Sequence, residues 1–226
     1  MKNNKLAFTL AEVLITLGII GIVAAMTIPT LITNYQKKQT STQLKKDYSQ
    51  LTQALGMAQI EYGDLAQWEY TGNSAYEKSK NYTDKYIVPY LKVVKQCQVN
   101  ASDSSNQCYF NPKGLNGTAN VLTNLSSHEA LFLADGSELI INAEQPVYKM
   151  IYIDINGTKS PNTLGKDTFS FEFSLYTGKF NPRYAYGTVE ETIANEANRC
   201  NKNQNGLACT NLIWLQNWEI TKDYPW

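Results

Sequence analysis

The sequence is poor in the residues that enzyme sites and nucleic-acid surfaces most often use. It has a single histidine, His128, and its 20 basic residues balance its 20 acidic residues, so the formal net charge is zero. A catalytic Ser-His-Asp arrangement would have to use that histidine, which lies in "SSHEA", a stretch typical of a loop leading into a strand. The sequence contains no glycine-rich phosphate-binding loop, and its balanced charge gives no electrostatic attraction for nucleic acid. We therefore expect neither an enzyme nor a nucleic-acid partner.

Cysteine is also scarce, and the four that occur form two close pairs in the sequence. They are Cys97, Cys108, Cys200 and Cys209. Four cysteines allow three connectivities, of which the nearest-neighbour one closes two small loops, each stabilising the fold by roughly 2–3 kcal/mol. The sequence has no CxxC motif, and the histidine is distant from both pairs, which argues against zinc. Disulfides would place the domain in an oxidising compartment.

One long apolar run stands out near the start of the chain. Residues 8–32 carry a single charge, Glu12, and about twenty such residues span a bilayer. A cleaved secretory signal is the alternative interpretation, with 24–26 ("AAM") as its candidate site. The run is longer than the usual apolar region of a signal, however, and has no clean small-x-small ending. We expect a membrane anchor.

The basic leader "MKNNKLA" followed by "FTLAEVLITLGIIGIVAA" resembles the class III leader of type IV pilins and type II secretion pseudopilins. The resemblance implies that prepilin peptidase cuts between Ala7 and Phe8, that Phe8 becomes N-methylated, and that Glu12 is the glutamate of that family. Ala7 departs from the glycine that usually precedes the cut. Gly21 and Pro29 stand where many pilins carry a glycine and a helix-breaking proline.

The resemblance implies a structural subunit of a filament or pseudopilus, acting as a pseudopilin or minor pilin. Cutting would create an amine about 6 Å along the helix axis from Glu12, and this acid could pair with the amine of a neighbouring subunit. The implied partners are other pilin subunits, prepilin peptidase, an inner-membrane assembly platform and membrane lipid. The implied location is a single pass through the bacterial inner membrane with a periplasmic domain, or a cell-surface filament. The alternatives are an adhesin, a DNA-uptake module and a membrane-tethered enzyme.

The helical pattern continues beyond the apolar run. Pro29 removes a backbone donor and should kink or loosen the helix, which would be about 80 Å long over 8–62. An apolar stripe at helical spacing favours packing against the chain's own sheet over a coiled-coil partner. Its members are Leu44, Tyr48, Leu51, Leu55, Ala58 and Tyr62. A further short helix is expected over 84–94.

Strand patterns follow from Glu129 onward. A hairpin over 129–142 turns at Asp135-Gly136, and further strands are expected over 146–155, 167–176 and 180–186. A capping box at Thr188 predicts a helix through Arg199. Together these elements predict an α+β, pilin-like fold, with a long N-terminal helix on an antiparallel sheet and a C-terminal disulfide-bounded region. The expected divisions are a leader (1–7), a membrane and assembly helix (8–32), its soluble continuation (33–63) and a globular domain (64–226).

The segment "DINGTKSPNTLGKDTF" contains side chains that suit a hard cation. Asp154, Asn156, Asn162 and Asp167 offer oxygen ligands of the kind that calcium binds, although the glycine spacing is not that of an EF-hand. The alternative is a loop whose Asp and Asn side chains bond their own backbone in turns. Calcium is the single cofactor that the sequence suggests.

Overall fold

The computed structural model describes residues 9–145, 148–175, 177–222 and 224–226, which fall into two compact units divided between Gln39 and Thr40. In the first unit the chain is helical from Leu10, where helix α1 (Leu10–Tyr62) begins. The apolar side chains of the first unit are exposed, with Leu10 77% and Met26 73% accessible. By length and composition this stretch could cross a membrane. The two residues predicted to flank the peptidase cut, Ala7 and Phe8, lie outside the described residues.

Within the second unit, helix α1 buries the predicted apolar stripe. Leu44, Leu51 and Ala58 are fully buried. Tyr48 is half-buried, and its ring stacks on Phe171 with centroids 5.7 Å apart. The stripe prediction is therefore confirmed from Leu44 to Ala58, whereas Tyr62 at its end is 37% exposed. The helical assignment runs through Pro29, and the kink stays a prediction.

Across the described ranges, the sheet has six antiparallel strands that neighbour one another in chain order. They are β1 (Val93–Gln98), β2 (Glu129–Leu133), β3 (Glu138–Asn142), β4 (Tyr148–Asp154), β5 (Thr168–Ser174) and β6 (Lys179–Pro182). Strand alternation directs Phe169, Phe171 and Phe173 into the core that α1 shares, each 1% exposed or less. The α+β, pilin-like fold is confirmed.

The other face of the sheet is covered by irregular chain. Ala130, Ile140 and Tyr152 are buried there in a second core, against residues such as Phe110 and Leu125 from the long connection between β1 and β2. Both faces are therefore buried. Polar side chains that strand alternation assigns to this second face must find partners without bulk water.

The helix predicted over 84–94 is found only in part, because the main helix of this region ends at Tyr86 and a short 3-10 helix covers Val88–Tyr90. The chain forms helix α2 (Ala75–Tyr86) earlier, because the Ser74 hydroxyl accepts a hydrogen bond from Glu77 N and so caps the first turn. Of the stretch that was expected to be helical, residues 84–86 complete α2, Val88–Tyr90 form a short 3-10 helix, and only Val93 and Val94 belong to strand β1. The segment Val93–Gln98 has no clear polar–apolar alternation, so this edge strand is recognised by its pairing with β2.

The helix predicted from Thr188 to Arg199 is much shorter than expected. Thr188 and Glu191 form the capping box, but helix α3 covers Val189–Ile193 alone, and Ala194 has extended ψ. A second short helix, α4 (Cys209–Leu215), follows the C-terminal disulfide.

Candidate functional site

The start of helix α1 is closed by a capping box that includes Glu12. Thr9 donates from its backbone N and from its Oγ1 to Glu12 Oε2, both at 2.8 Å, and Glu12 N donates to Thr9 Oγ1 at 3.3 Å. This reciprocal pattern satisfies backbone N–H groups that the first turn would otherwise leave without partners. Thr9 was not singled out from the sequence, although Thr-x-x-Glu has the spacing of this motif.

The acid of the apolar run therefore has a local role besides any role in assembly. A carboxylate at the first turn is also favoured by the helix dipole. Both hydrogen bonds to the Glu12 carboxylate use Oε2. A glutamine at this position could accept the same bonds, since capping boxes use Glu or Gln.

The single histidine is a buried structural residue. His128 is 1% exposed, and its Nδ1 lies 3.1 Å from Asn124 O and 3.5 Å from Ser127 Oγ. Burial lowers the pKa of His128 to about 4, so the ring is neutral at physiological pH. The Ser127 hydroxyl donates to Asn124 O at 2.7 Å and accepts from Asn142 Nδ2 at 2.8 Å. A buried serine with both roles filled is not an accessible nucleophile.

Both disulfides join nearest neighbours in the sequence. Cys97 pairs with Cys108, and Cys200 pairs with Cys209. The first ties strand β1 to the connection that covers the second face of the sheet. The second closes the residues that lead into α4.

Residues 154–167, here called the acidic loop, bring together the four predicted oxygen donors. Asp154 ends β4 and is 1% exposed; its Oδ2 accepts from Thr168 Oγ1 at 3.1 Å. Asp167 is 3% exposed; its Oδ1 accepts from Thr163 N at 2.6 Å, and its Oδ2 accepts from Asn162 N at 2.8 Å. The two carboxylates thus fold the loop back on itself.

Burial disfavours the charged forms of both carboxyl groups in the acidic loop. Burial and then repulsion by Asp167 raise the pKa of Asp154 well above its usual value. Burial also raises the pKa of Asp167, against the lowering effect of its backbone hydrogen bonds. None of the ion pairs formed by the described residues involves either carboxylate. Within the same residues, no three carboxylate, imidazole or thiolate groups converge as a metal site, so any cation would also need amide and main-chain oxygens.

Two family models match the chain. One, described as a prokaryotic N-terminal methylation motif, matches residues 2–28 and therefore covers the leader, the predicted cut and Glu12. The other matches residues 30–226, well over half of the chain. The chain belongs to DUF6613, a family of unknown function. No curated protein and no solved structure matches it.

The methylation motif makes this DUF6613 member a type IV pilin-like or pseudopilin protein. The motif and the apolar part of α1 together indicate a membrane-anchored protein. The DUF6613 match covers the whole second unit, which includes the sheet, both disulfides and the acidic loop.

Proposed function

We propose that this protein is a structural subunit, a pseudopilin or minor pilin, of a type IV pilus-like filament or a type II secretion pseudopilus, and that it catalyses no reaction. Prepilin peptidase removes residues 1–7 and methylates Phe8. The processed subunit is then held in the inner membrane, with its second unit on the periplasmic side. An inner-membrane platform assembles it into the filament or pseudopilus. The methylation motif over 2–28 is the observation that carries this proposal.

The positive charge that the peptidase cut creates at Phe8 supports a role for Glu12 in assembly. The new amine at Phe8 is positive, and a charge enclosed among apolar helices needs a partner of opposite sign. In a filament the acid of one subunit can meet the amine of its neighbour when their registers agree. The capping box holds the Glu12 side chain at the helix start in one orientation. Such an acid specifies the register of assembly more than it stabilises the monomer.

The buried state of His128 supports the absence of catalysis. A general base must reach its substrate and titrate near the working pH. His128 is 1% exposed, and its pKa is lowered to about 4. Its hydrogen bonds instead hold the turn before β2 in place.

The capping geometry allows the charge of Glu12 to be tested apart from its local role. We would express the full chain with prepilin peptidase and an assembly platform, and would compare Glu12→Gln, Glu12→Ala and Thr9→Ala. Glutamine keeps the capping bonds without the charge, whereas Thr9→Ala keeps the charge and weakens the cap by about 1 kcal/mol. The readouts are the fraction of subunit in sheared filaments and the N-terminal sequence of that fraction.

We expect both Glu12 variants to be cut after Ala7 but to be lost from filaments, with Thr9→Ala incorporated. Normal incorporation of Glu12→Gln would show that charge pairing is not needed. Loss of Thr9→Ala and Glu12→Ala together, with Glu12→Gln retained, would assign Glu12 to the cap alone. A wild-type chain that is never cut before Phe8 would overturn the filament function itself.

A further inference from the structure

An open, polar cavity lies beyond the end of strand β1. Its volume of about 670 Å³ falls within the roughly 300–1,000 Å³ of ligand sites in proteins. One wall is formed by the end of β1 and the chain that follows it, and the other by the turn before β2. We call this cavity the amide pocket, and its lining consists of Gln98, Val99, Asn100, Ala101, Ser102, Asn106, Asn124, Leu125 and Ser126.

The lining of the amide pocket is polar but uncharged. None of its nine residues is ionisable, and six of them carry an amide or a hydroxyl, whereas most ligand pockets are apolar with a few polar groups. Its apolar members Val99 and Leu125 are buried, so they offer little surface to a ligand. A charged ligand would find no ion pair here to offset the cost of its desolvation. The lining therefore favours a ligand that is polar and neutral.

Three amides of the pocket keep hydrogen-bond donors that the protein does not use. Asn100 Oδ1 accepts from the main-chain N–H groups two and three residues further on, both at 2.9 Å, and Asn106 Oδ1 accepts from Cys108 N at 2.8 Å. Because each oxygen is engaged by a main-chain donor, the nitrogen of each amide is identified and its direction is fixed. Among the described residues, none accepts a hydrogen bond from either Nδ2, and none bonds to the side chain of Asn124.

The main chain of this region is already paired, so the binding of a ligand is left to the side chains. Val99 N donates to His128 O at 3.1 Å, Asn100 N donates to Cys108 O at 2.8 Å, and Asn100 O accepts from Phe110 N at 3.0 Å. A peptide that binds as an added strand needs free main-chain N–H and C=O groups. A ligand that contacts amides and hydroxyls fits these residues better than a peptide strand does.

The two walls of the amide pocket are joined by covalent and hydrogen bonds. Gln98 Nε2 donates to Ser126 O at 2.7 Å and so connects one wall to the other. The disulfide between Cys97 and Cys108 ties β1 to the chain beyond Asn106. A site that is formed before the ligand arrives loses less conformational entropy on binding.

We propose that the amide pocket binds an uncharged glycan through the amides of Asn100, Asn106 and Asn124 and the hydroxyls of Ser102 and Ser126. A sugar hydroxyl both donates and accepts hydrogen bonds, as do serine hydroxyls and side-chain amides. The ligand and the lining can therefore satisfy one another without any charge. This binding goes beyond the proposed filament function and does not depend on it.

Two substitutions remove donors from the pocket while keeping the local backbone. Asn124→Gly removes an amide without an internal hydrogen bond, and glycine tolerates the left-handed φ of 55° at this position. Its matched control is Asn217→Gly, because Asn217 is exposed, lies outside the pocket and has a φ of 56°. Asn100→Asp keeps the oxygen that accepts both main-chain hydrogen bonds but removes the Nδ2 donors. Its control is Asn116→Asp, since Asn116 Oδ1 likewise accepts from Thr118 N, at 3.1 Å.

The experiment applies the full-length protein, in a detergent without a sugar headgroup, to an array of neutral, sialylated and sulfated glycans. The neutral glycan with the strongest signal is then titrated calorimetrically to about 10 mM, which detects a Kd near 1 mM, and a short neutral Ser-Gly peptide is titrated in parallel. We expect saturable binding of the glycan and none of the peptide. Asn124→Gly should weaken binding roughly three- to tenfold and Asn100→Asp by about tenfold or more, while both controls should bind as wild type does.

Three results would overturn the proposal. The first is a wild-type chain that binds no neutral glycan, or that binds the peptide instead. The second is a preference for sialylated or sulfated glycans, which would indicate a site for anions. The third is equal glycan binding by wild type, Asn124→Gly and Asn100→Asp, which would place the glycan elsewhere on the protein. If Asn100→Asp does not fold, Asn124→Gly decides alone, because that substitution removes no internal hydrogen bond of the side chain.

Discussion

Asp47 offers the sharpest test of how this domain tolerates buried charge. It lies on helix α1 and is 1% exposed; its Oδ1 accepts from Gln43 Nε2 at 2.9 Å, but its Oδ2 has no partner. Burial, followed by repulsion from Asp135, raises the pKa of Asp47 from 3.8 to about 7, although Lys46 opposes the shift. Lys46 forms an ion pair with Asp135 Oδ2 at 2.6 Å, so its positive charge is divided between Asp135 and Asp47.

The sign of the pH dependence follows from that raised pKa. Below pH 3.8 the carboxyl is protonated in both the folded and unfolded states and costs nothing. Between pH 4 and 7 the folded state holds a proton that the unfolded state has lost, so the free energy of unfolding falls as the pH rises. Above pH 7 the penalty of the buried charge is complete, at about 4 kcal/mol from 1.36 kcal/mol per pH unit.

Asp47→Asn removes this penalty while keeping an acceptor for Gln43. We expect the variant to match wild type near pH 4 and to be more stable at pH 8, by up to about 4 kcal/mol or roughly 8–16 °C in Tm. The assay is thermal unfolding of the full chain in detergent with a chelator at pH 4.5, 6, 7 and 8, read as the difference between variant and wild type. Asp103→Asn is the control, because Asp103 is exposed and its hydrogen bonds to Ser105 lower its pKa. A difference that does not grow with pH, or a variant that is less stable at pH 8, would refute the reasoning.

Two further predictions concern packing. Gly165→Ala should destabilise the fold by at least about 1 kcal/mol more than Gly117→Ala, because both positions have φ near +80° but only a Cβ at 165 would meet Cys209 Sγ, at 2.7 Å. Equal losses in urea unfolding would show that the close approach to the disulfide does not matter. Tyr48→Ala should cost about 3 kcal/mol, since the ring lies 5.0–5.7 Å from its aromatic neighbours. Tyr48→Phe should be nearly neutral because the hydroxyl makes only a 3.4 Å bond to Phe180 O, and a large loss in that variant would contradict this account.

The parts of the fold that sequence reasoning predicted are those with strong local periodicity. The helix stripe from Leu44 to Ala58 and the alternation of Phe169, Phe171 and Phe173 are each visible within about fifteen residues, and each faces the core as expected. The hairpin turn at Asp135-Gly136 is equally local. These predictions hold in the folded protein because the helix and the sheet bury the same faces that the sequence patterns define.

The parts that were missed depend on contacts between distant segments or on main-chain atoms. Strand β1 lacks a clear alternation of polar and apolar residues and is held at the sheet edge by pairing with β2 and by the bond from Cys97 to Cys108. Helix α2 could have been recognised from Ser74-x-x-Glu77, as the cap at Thr9 could have been from its own spacing. The sequence suggested oxygen ligands in the acidic loop, but not that the carbonyls of Gly157 and Lys159 lie beside the Asn156 side-chain amide, which can donate hydrogen bonds to them.

Sheet register connects the stability of the domain to its candidate cation site. Leu139 and Ile153 are buried in the core that α1 shares, and they are paired across β3 and β4. Strand alternation then places Glu138 and Asp154, the next residues along each strand, on the opposite face and directly across from one another. A slip of one residue would bring these acids into the apolar core, so the hydrophobic pattern that fixes the fold also fixes the spacing of the two carboxylates.

The loop after Asp154 is held against the β2–β3 turn, where a Cβ on Gly157 would lie 2.9 Å from Gly136 O. A larger residue there would push the loop carbonyls away from Asp154 without changing any ligand. The candidate site is therefore a consequence of packing as much as of its acidic side chains.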